Sequence, residues 1–351
     1  MTPADLSRTV LGAVRRAVEE GALGEAVAVP DRVVVERPRP GGRGDYATNA
    51  ALRLAHEARM PAMRVAELLS ERLVRRPGIA RVEVTGPGFL NITLDTGADG
   101  SLVRTVLEQG GRYGHGDAMA GERCVYRHGP EVRGAVVADG LRRLALAQGA
   151  AADAGCVGAA DAGWARLGVV THPVASDAQV DVRPGAAGAG AGELLRRYGA
   201  DAARWAMLRA AAHDRPRFDA GLLVQGEANP FFRVRYAHSR ARALARAAEH
   251  LGFAVRHDGI EESVDAPALV GAVGDYPRVL VSAVRHRAPD RLARHLETTA
   301  DAFLGFQHTV LPRGDEKPSA AHRSRLALAE AAGTVLAGGL TLLGISAPEY
   351  V

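Results

Sequence analysis

Apolar positions follow two rhythms along the chain, and the change from one to the other divides it. Leu6, Val10, Ala13, Val14 and Ala17 recur at helical spacing and Gly21 follows, which predicts a helix over residues 1–20. The β-branched run Val33-Val34-Val35 predicts a strand over 31–36, and a turn-rich stretch occupies 37–44. Helices are predicted over 48–56 and 62–75, and strands over 80–84 and 89–94 around Gly86-Pro87-Gly88. A helix over 100–109 and a glycine-bearing linker over 110–121 follow this α/β module.

A strand is predicted over 122–126, then a loop and a helix over 132–148. Residues 150–165 are small and show no clear period, and 167–174 reads as a short strand. Residues 185–192 are all Gly or Ala and are expected to form a flexible connection. From Gly192 the pattern is helical throughout, with segments starting near Gly192, Pro230, Pro267, Pro289 and Ala320. The fold class predicted is multidomain, α/β followed by an all-α bundle. Domains are expected over 1–105, 106–191 and 192–351.

Composition adds limits. The chain has 351 residues, 47% of them hydrophobic, enough for two or three buried cores. Cys124 and Cys156 make neither a disulfide framework nor a metal motif, and no metal site is expected. No stretch of about 18 apolar residues suggests a membrane span, and the start lacks the basic and apolar regions of a signal peptide. The reading is a soluble, cytoplasmic protein without a membrane partner. Net charge is +4, with a sequence pI of 9.4. Nearly all basic residues are arginine: Lys317 is the sole lysine, and Asn49, Asn91 and Asn229 are the only asparagines. Such usage reflects composition bias, so the pI alone is weak evidence for nucleic acid. It still means that chemistry needing an ammonium group must use Lys317 or find another cation.

Three stretches carry candidate chemistry. Gly44-Asp45-Tyr46-Ala47-Thr48-Asn49 opens a helix that Thr48 or Asn49 could cap, and it could present Tyr46 beside backbone N–H groups for stacking and phosphate contact. It could equally be a capping turn with a partly buried Tyr. In Gly86-Pro87-Gly88-Phe89-Leu90-Asn91-Ile92, Phe89 and Asn91 share one sheet face and could grip a flipped-out base, while Leu90 and Ile92 face the core. The alternative is edge packing with a satisfied amide. Asn229-Pro230 is a cap followed by proline at the first helical position. In the helix it opens, Val234, Ala237, Ala241, Leu244 and Ala248 form a core arc. Arg235, His238, Arg242 and Arg246 form a basic stripe beside it, suited to a phosphate backbone or simply solvated. Tyr236 and Arg240 flank the core arc on its other side.

Taken together, these stretches resemble arginyl-tRNA synthetases. The first is similar to that family's Gly-Asp-(Tyr/Phe)-Ala-Thr-Asn motif, and the second to its Pro-Gly-Phe-(Ile/Leu)-Asn-Ile strand. Gly199-Ala200-Asp201-Ala202-Ala203-Arg204-Trp205 with Phe218-Asp219 resembles the entrance to its anticodon-binding domain. Asn229-Pro230 with Tyr236-Ala237-His238-Ser239-Arg240 resembles the anticodon-binding helix, and Gly339-Leu340 through Glu349 resembles the family's ending. The match runs in order through residues 1–148 and 167–351. It implies a class I synthetase with an add-on domain at the tRNA elbow, a Rossmann catalytic domain and a helical anticodon domain. Tyr46, Asn49, Phe89 and Asn91 would then meet the elbow. Asn229, Arg235, Tyr236, His238, Arg240, Arg242 and Arg246 would meet the anticodon loop.

The middle departs from the family. Where the resemblance implies His-Val-Gly-His at a helix start, this chain has His128-Gly129-Pro130-Glu131, with Arg133, Val136, Asp139 and Leu141 matching the helix. A carboxylate there repels triphosphate. Where it implies Met-Ser-Lys, the chain has Val180-Asp181-Val182-Arg183-Pro184-Gly185, without lysine. The stretch between the two is too short for the further βα units, about 30 residues each, that a nucleotide-binding sheet requires. A middle sheet of two to four strands is expected, and His128, Glu131 and Arg133 are vestigial. The function expected is binding of tRNA, with tRNA-Arg the expected species, by a chain without a competent aminoacylation site and without ATP as a ligand. The rivals are an arginine–tRNA ligase, alone or completed by a partner, and a protein-interaction module whose basic stripe is buried against protein. Glu349-Tyr350-Val351 departs from the family's Glu-Arg-Met ending.

Overall fold

The computed structural model describes residues 3–24, 27–36, 38, 43–95, 97–173, 180–255 and 264–351. It divides into two compact units, Met1–Leu102 and Val103–Val351.

In the first unit, α1 (Pro3–Glu19) forms for the reason the pattern predicts: Leu6, Val10, Ala13, Val14 and Ala17 are all buried. Gly21 takes a left-handed φ of 69° just past the helix. Three strands, β1 (Tyr46–Thr48), β2 (Ile79–Thr85) and β3 (Phe89–Leu94), make an antiparallel sheet in the order β1-β3-β2. Helices α2 (Ala50–Ala58) and α3 (Ala62–Leu73) contribute Leu54, Val65 and Leu69 to the core that holds Leu90 and Ile92. Two expectations are corrected. The strand over 31–36 is reduced to one bridge, Glu36 to Ala47, because β1 is only three residues long and offers no further ladder. The helix over 48–56 begins at Ala50, because Thr48 is a strand residue whose Oγ1 donates to the Val34 carbonyl (2.7 Å) and accepts from the Ala50 N–H (3.3 Å). Of the turn-rich stretch, residues 37 and 39–42 lie outside the described residues. Helix α4 (Ala98–Gln109) leads into the second unit.

That unit opens with a βαβ arrangement: β4 (Arg123–His128), α5 (Val132–Ala147) and β5 (Ala151–Cys156), the two strands parallel and paired over six residues. After α6 (Gly163–Arg166), β6 (His172–Pro173) joins β5 and β7 (Val180–Asp181) joins β4. The result is a four-stranded parallel sheet, β6-β5-β4-β7, within the expected two to four strands. β5 corrects the view of 150–165 as patternless. Its Ala-Ala-Asp-Ala-Gly-Cys has no β-branched residue, and the strand forms because β4 and α5 offer it a ladder and a cover. The strand expected over 167–174 contracts to β6, and Val174 lies outside the described residues. The Gly/Ala tract over 185–192 is tethered: the Gly185 N–H donates to the Ala212 carbonyl (2.8 Å), the Ala187 N–H to Glu131 Oε1 (2.9 Å), and a helix has begun by Ala191.

The remaining helices are α7 (Ala191–Arg209), α8 (Pro230–His250), α9 (Pro267–Arg285), α10 (Asp290–Phe306) and α11 (Ala320–Leu342), each starting close to its predicted place. α7 is two helices broken at Gly199, whose φ of 76° and ψ of 172° no helical residue adopts. Ser319 and His322 close a capping box on α11. By length and composition α11 could cross a membrane, but 67% of its most apolar window is buried within the protein, as in a core helix.

Candidate functional site

The face of α8 is set by the residue that caps it. Asn229 Oδ1 accepts the Phe231 N–H (3.0 Å) while its Nδ2 donates to the Leu222 and Val224 carbonyls, both at 2.9 Å. One amide therefore caps the helix and fixes the turn before it. Val234, Ala237, Ala241, Leu244 and Ala248 are buried as the pattern requires. Tyr236 is exposed and stacks on Phe232, with ring centroids 5.5 Å apart. Sequence reasoning misses Phe232, although its place four residues before Tyr236 is the signal for such a pair. Arg240 donates from Nε to Gln307 Oε1 (2.7 Å), and so belongs to the contact with the turn after α10.

The basic stripe exists, but it is not the open row expected. His238 is buried, and its Nδ1 donates to the Pro348 carbonyl (3.0 Å); burial pushes its pKa down. Ser239 Oγ donates to the Glu349 carbonyl (2.9 Å). The Glu349 carboxylate stands 3.5 Å from Arg242 Nε and 3.5 Å from Arg246 Nη1, and the Arg246 guanidinium lies 4.5 Å from the centre of the Tyr350 ring. Arg235 lies over Phe231 at 5.3 Å and lines a cleft of about 360 Å³ with Asn229, Phe232 and Val351. The chain's own residues 348–350 thus cover the lower stripe because they bring it a carbonyl, a carboxylate and a ring.

The start of α5 has a different character. Glu131 is its N-cap: Oε2 accepts the Gly134 N–H (3.0 Å) and Oε1 accepts the Ala187 N–H (2.9 Å). A helix N-terminus attracts an anion, and here the anion is a side chain of the protein. His128 is buried, with Nδ1 donating to the Gly129 carbonyl (2.8 Å), Nε2 facing Thr171 Oγ1 (3.1 Å) and its ring edge-on to Trp164. Burial pushes its pKa down, so it is a neutral group rather than a cation for phosphate. Arg133 is fully buried, and its five N–H donors reach the carbonyls of Met207, Gly185, Asp214, Ala210 and Ala211 at 2.5–3.2 Å. Val180-Asp181, expected at the lysine-bearing loop, is the edge strand β7, where Asp181 accepts from Arg127 Nε (2.6 Å). At this terminus the Glu131 carboxylate accepts one helix N–H, His128 is buried and neutral, and the Arg133 guanidinium is spent on carbonyl oxygens.

Two residues of the Gly199–Trp205 motif hold this half of the molecule together, a role the sequence does not reveal. Arg204 is fully buried and donates to Asp139 Oδ2 (2.7 Å) and to the carbonyls of Leu343 and Leu167, both 2.9 Å. Burial pushes the Asp139 carboxyl up, but Arg204 and Arg143 pull it further down, so it stays ionised below its ordinary range. Asp201 accepts from Ser346, at N–H (3.2 Å) and hydroxyl. α5, α7 and the end of α11 are thereby fastened at one point.

The candidate elbow patch in the first unit is only partly assembled. Phe89, 40% accessible, and Asn49 are exposed. Tyr46 is buried opposite Ile92, not presented to solvent. Asn91 is buried, and its Nδ2 donates to Thr85 Oγ1 (2.6 Å), because β3 is the central strand and both its faces are covered there. Asn49 is at the N-cap of α2 but makes no capping hydrogen bond.

Comparison with known proteins meets this architecture at both ends. The Arginyl tRNA synthetase N terminal domain model matches residues 7–94, and the DALR anticodon binding domain model matches 234–351. The arginine–tRNA ligase of Frankia alni is 27% identical over 555 aligned positions covering 99% of this chain and 100% of that protein. The arginine–tRNA ligase of Micrococcus luteus is 41% identical over 163 residues, 43% of this chain and 29% of that one. Among solved structures, Thermus thermophilus arginyl-tRNA synthetase superposes with a TM-score of 0.71 at 14% identity, covering 100% of both chains. The Plasmodium falciparum enzyme gives 0.70 at 9% identity, covering 99% of both. With both end domains matched in order and the whole fold shared, the chain belongs to the arginyl-tRNA synthetase family.

Proposed function

We propose that this member of the family binds tRNA, with tRNA-Arg the expected species, and lacks a competent aminoacylation site. The observation that carries the reading is Glu131, whose carboxylate takes the N-terminal N–H of α5 where the family's phosphate loop would open. A second anion there would meet like charge and find the helix donor already used. The neutral, buried His128 and the fully committed Arg133 support the same reading. So does the alignment with the Frankia alni protein, where 555 positions are filled by 99% of this chain's 351 residues, leaving more than a third of them without a counterpart. Binding is assigned to α8, through Tyr236 with Phe232 and the arginines of the stripe, and to Asn49 and Phe89 of the first unit. The domain limits 1–105, 106–191 and 192–351 and a cytoplasmic role in translation go with this reading.

A second reading, an arginine–tRNA ligase, is favoured by the full-length alignment with a protein of that name. A third, a protein-interaction module, is favoured by the coverage of the stripe by residues 348–350. Two measurements on the purified chain separate them. Arginine-dependent ATP–pyrophosphate exchange is expected to be absent, and tRNA is expected to bind with an affinity that falls with salt. Exchange above background would establish the ligase, and absence of tRNA binding at low salt would leave the interaction module.

A further inference from the structure

We propose that residues 348–350 form a displaceable strap that occupies the RNA-binding face of α8 as an internal mimic of one nucleotide. The inference rests on the tRNA-binding reading of that face. Single-stranded RNA offers a basic helix an anionic group with a flat ring beside it. Glu349 and Tyr350 offer the same pair: the carboxylate spans Arg242 and Arg246, and the ring lies on the Arg246 guanidinium.

The fixed and movable parts of the segment are distinct. Leu343 is pinned by Arg204 and Ser346 by Asp201, so the backbone is anchored up to that point. Beyond it two hydrogen bonds hold the backbone, His238 Nδ1 to the Pro348 carbonyl and Ser239 Oγ to the Glu349 carbonyl, while the grip on the two side chains is light. Both ion pairs are at 3.5 Å on the surface, where such pairs are individually weak, and Tyr350 is 73% accessible, held on one face only. The arginines are also incompletely served. Arg246 Nη1 and Arg235 Nε are shielded from solvent yet have no hydrogen-bond partner, although Glu349 lies within ion-pair distance of the former. A phosphate has oxygens enough to supply what one carboxylate leaves unmet. RNA and strap therefore compete for one set of donors, and RNA gains when the strap lifts.

The test uses the full chain carrying Glu349→Gln, Tyr350→Ala, or both, with unfractionated tRNA and inorganic polyphosphate as probes over a range of salt. The double variant is expected to bind tRNA about fivefold more tightly, as release of two weak surface contacts would give. Its salt slope should steepen by about 0.7 for each arginine released. Polyphosphate, which has no bases, should gain from Glu349→Gln and little from Tyr350→Ala. Equal or weaker binding of both probes by the double variant overturns the strap. If tRNA binds every form equally, the strap fails and the tRNA reading stands. If no form binds tRNA while polyphosphate binding rises with Glu349→Gln, the tRNA reading fails and takes the nucleotide mimicry with it, leaving Glu349 only as a cover over the two arginines.

Discussion

Arginine does opposite work at the start of α5 and on the face of α8. Arg133 and, on α7 beside it, Arg204 are fully buried and spend their donors on carbonyl oxygens and Asp139. Arg242 and Arg246 remain at the surface, facing one carboxylate at 3.5 Å. The residue type is the same, and the difference lies in how many fixed acceptors surround it. A guanidinium sealed among carbonyls is a structural peg whose removal leaves those carbonyls bare. One with donors to spare is available to a ligand. Around the start of α5 the arginines are turned inward onto fixed acceptors, and on α8 they are turned outward.

The largest effect should come from breaking a peg. Arg204→Met would leave Asp139 buried with weaker partners and the Leu343 and Leu167 carbonyls unpaired, at a cost of about 3–5 kcal/mol. Arg242→Ala should stay within about 0.5 kcal/mol of the parent. Urea unfolding measures both, and equal midpoints for the two variants would remove the distinction.

Acid should strike the inward-turned groups next. His295 is lowered to about 4, chiefly by burial, and its Nε2 has no partner. His128 and His238 are lowered too, again first by burial. The unfolded chain takes up these protons near pH 6.5 and the folded one does not, so stability is full above that value and declines as pH falls toward 4. His295 alone should account for about 3 kcal/mol of the loss. Its replacement by Gln should flatten stability between pH 6.5 and 4, and an unchanged profile would remove His295 as the cause.

Legibility follows the same division. The helices of the second unit can be read because apolar period and Pro, Asn or Ser punctuation agree there, as at Asn229-Pro230 and Ser319. β5 cannot, since Ala151–Cys156 is a strand only through its neighbours. The face of Asn91 misleads because spacing tells which side chains share a face, not whether that face is open. The covering of the stripe escapes for a similar reason. His238 and Pro348 are 110 positions apart, and no local pattern links them.

On α8 the expected losses concern binding rather than stability. Tyr236→Ala removes an exposed ring stacked on Phe232, and should cost about 1–3 kcal/mol of tRNA affinity with little change in salt slope. Arg235→Ala with Arg242→Ala should weaken binding and flatten the slope by about 0.7 for each phosphate left without its arginine. If tRNA binds both variants like the parent, α8 is structural and the contrast with α5 disappears.

The smallest effect tests the comparison most directly, because it sets one helix cap against another. Glu131→Ala removes the acceptor for the Gly134 and Ala187 N–H groups, and should destabilise by about 1 kcal/mol, the ordinary worth of a cap. Asn229→Ala should cost more, since Asn229 also supplies two donors to the Leu222 and Val224 carbonyls. Glu131→His restores the family's residue type at the α5 terminus but leaves His128 buried, Arg133 spent and β7 in the place of the lysine-bearing loop. It should lose the cap and gain no pyrophosphate exchange. Exchange appearing in Glu131→His alone would mean that one carboxylate had been suppressing an otherwise working site, and that the α5 region is closed by charge rather than by architecture.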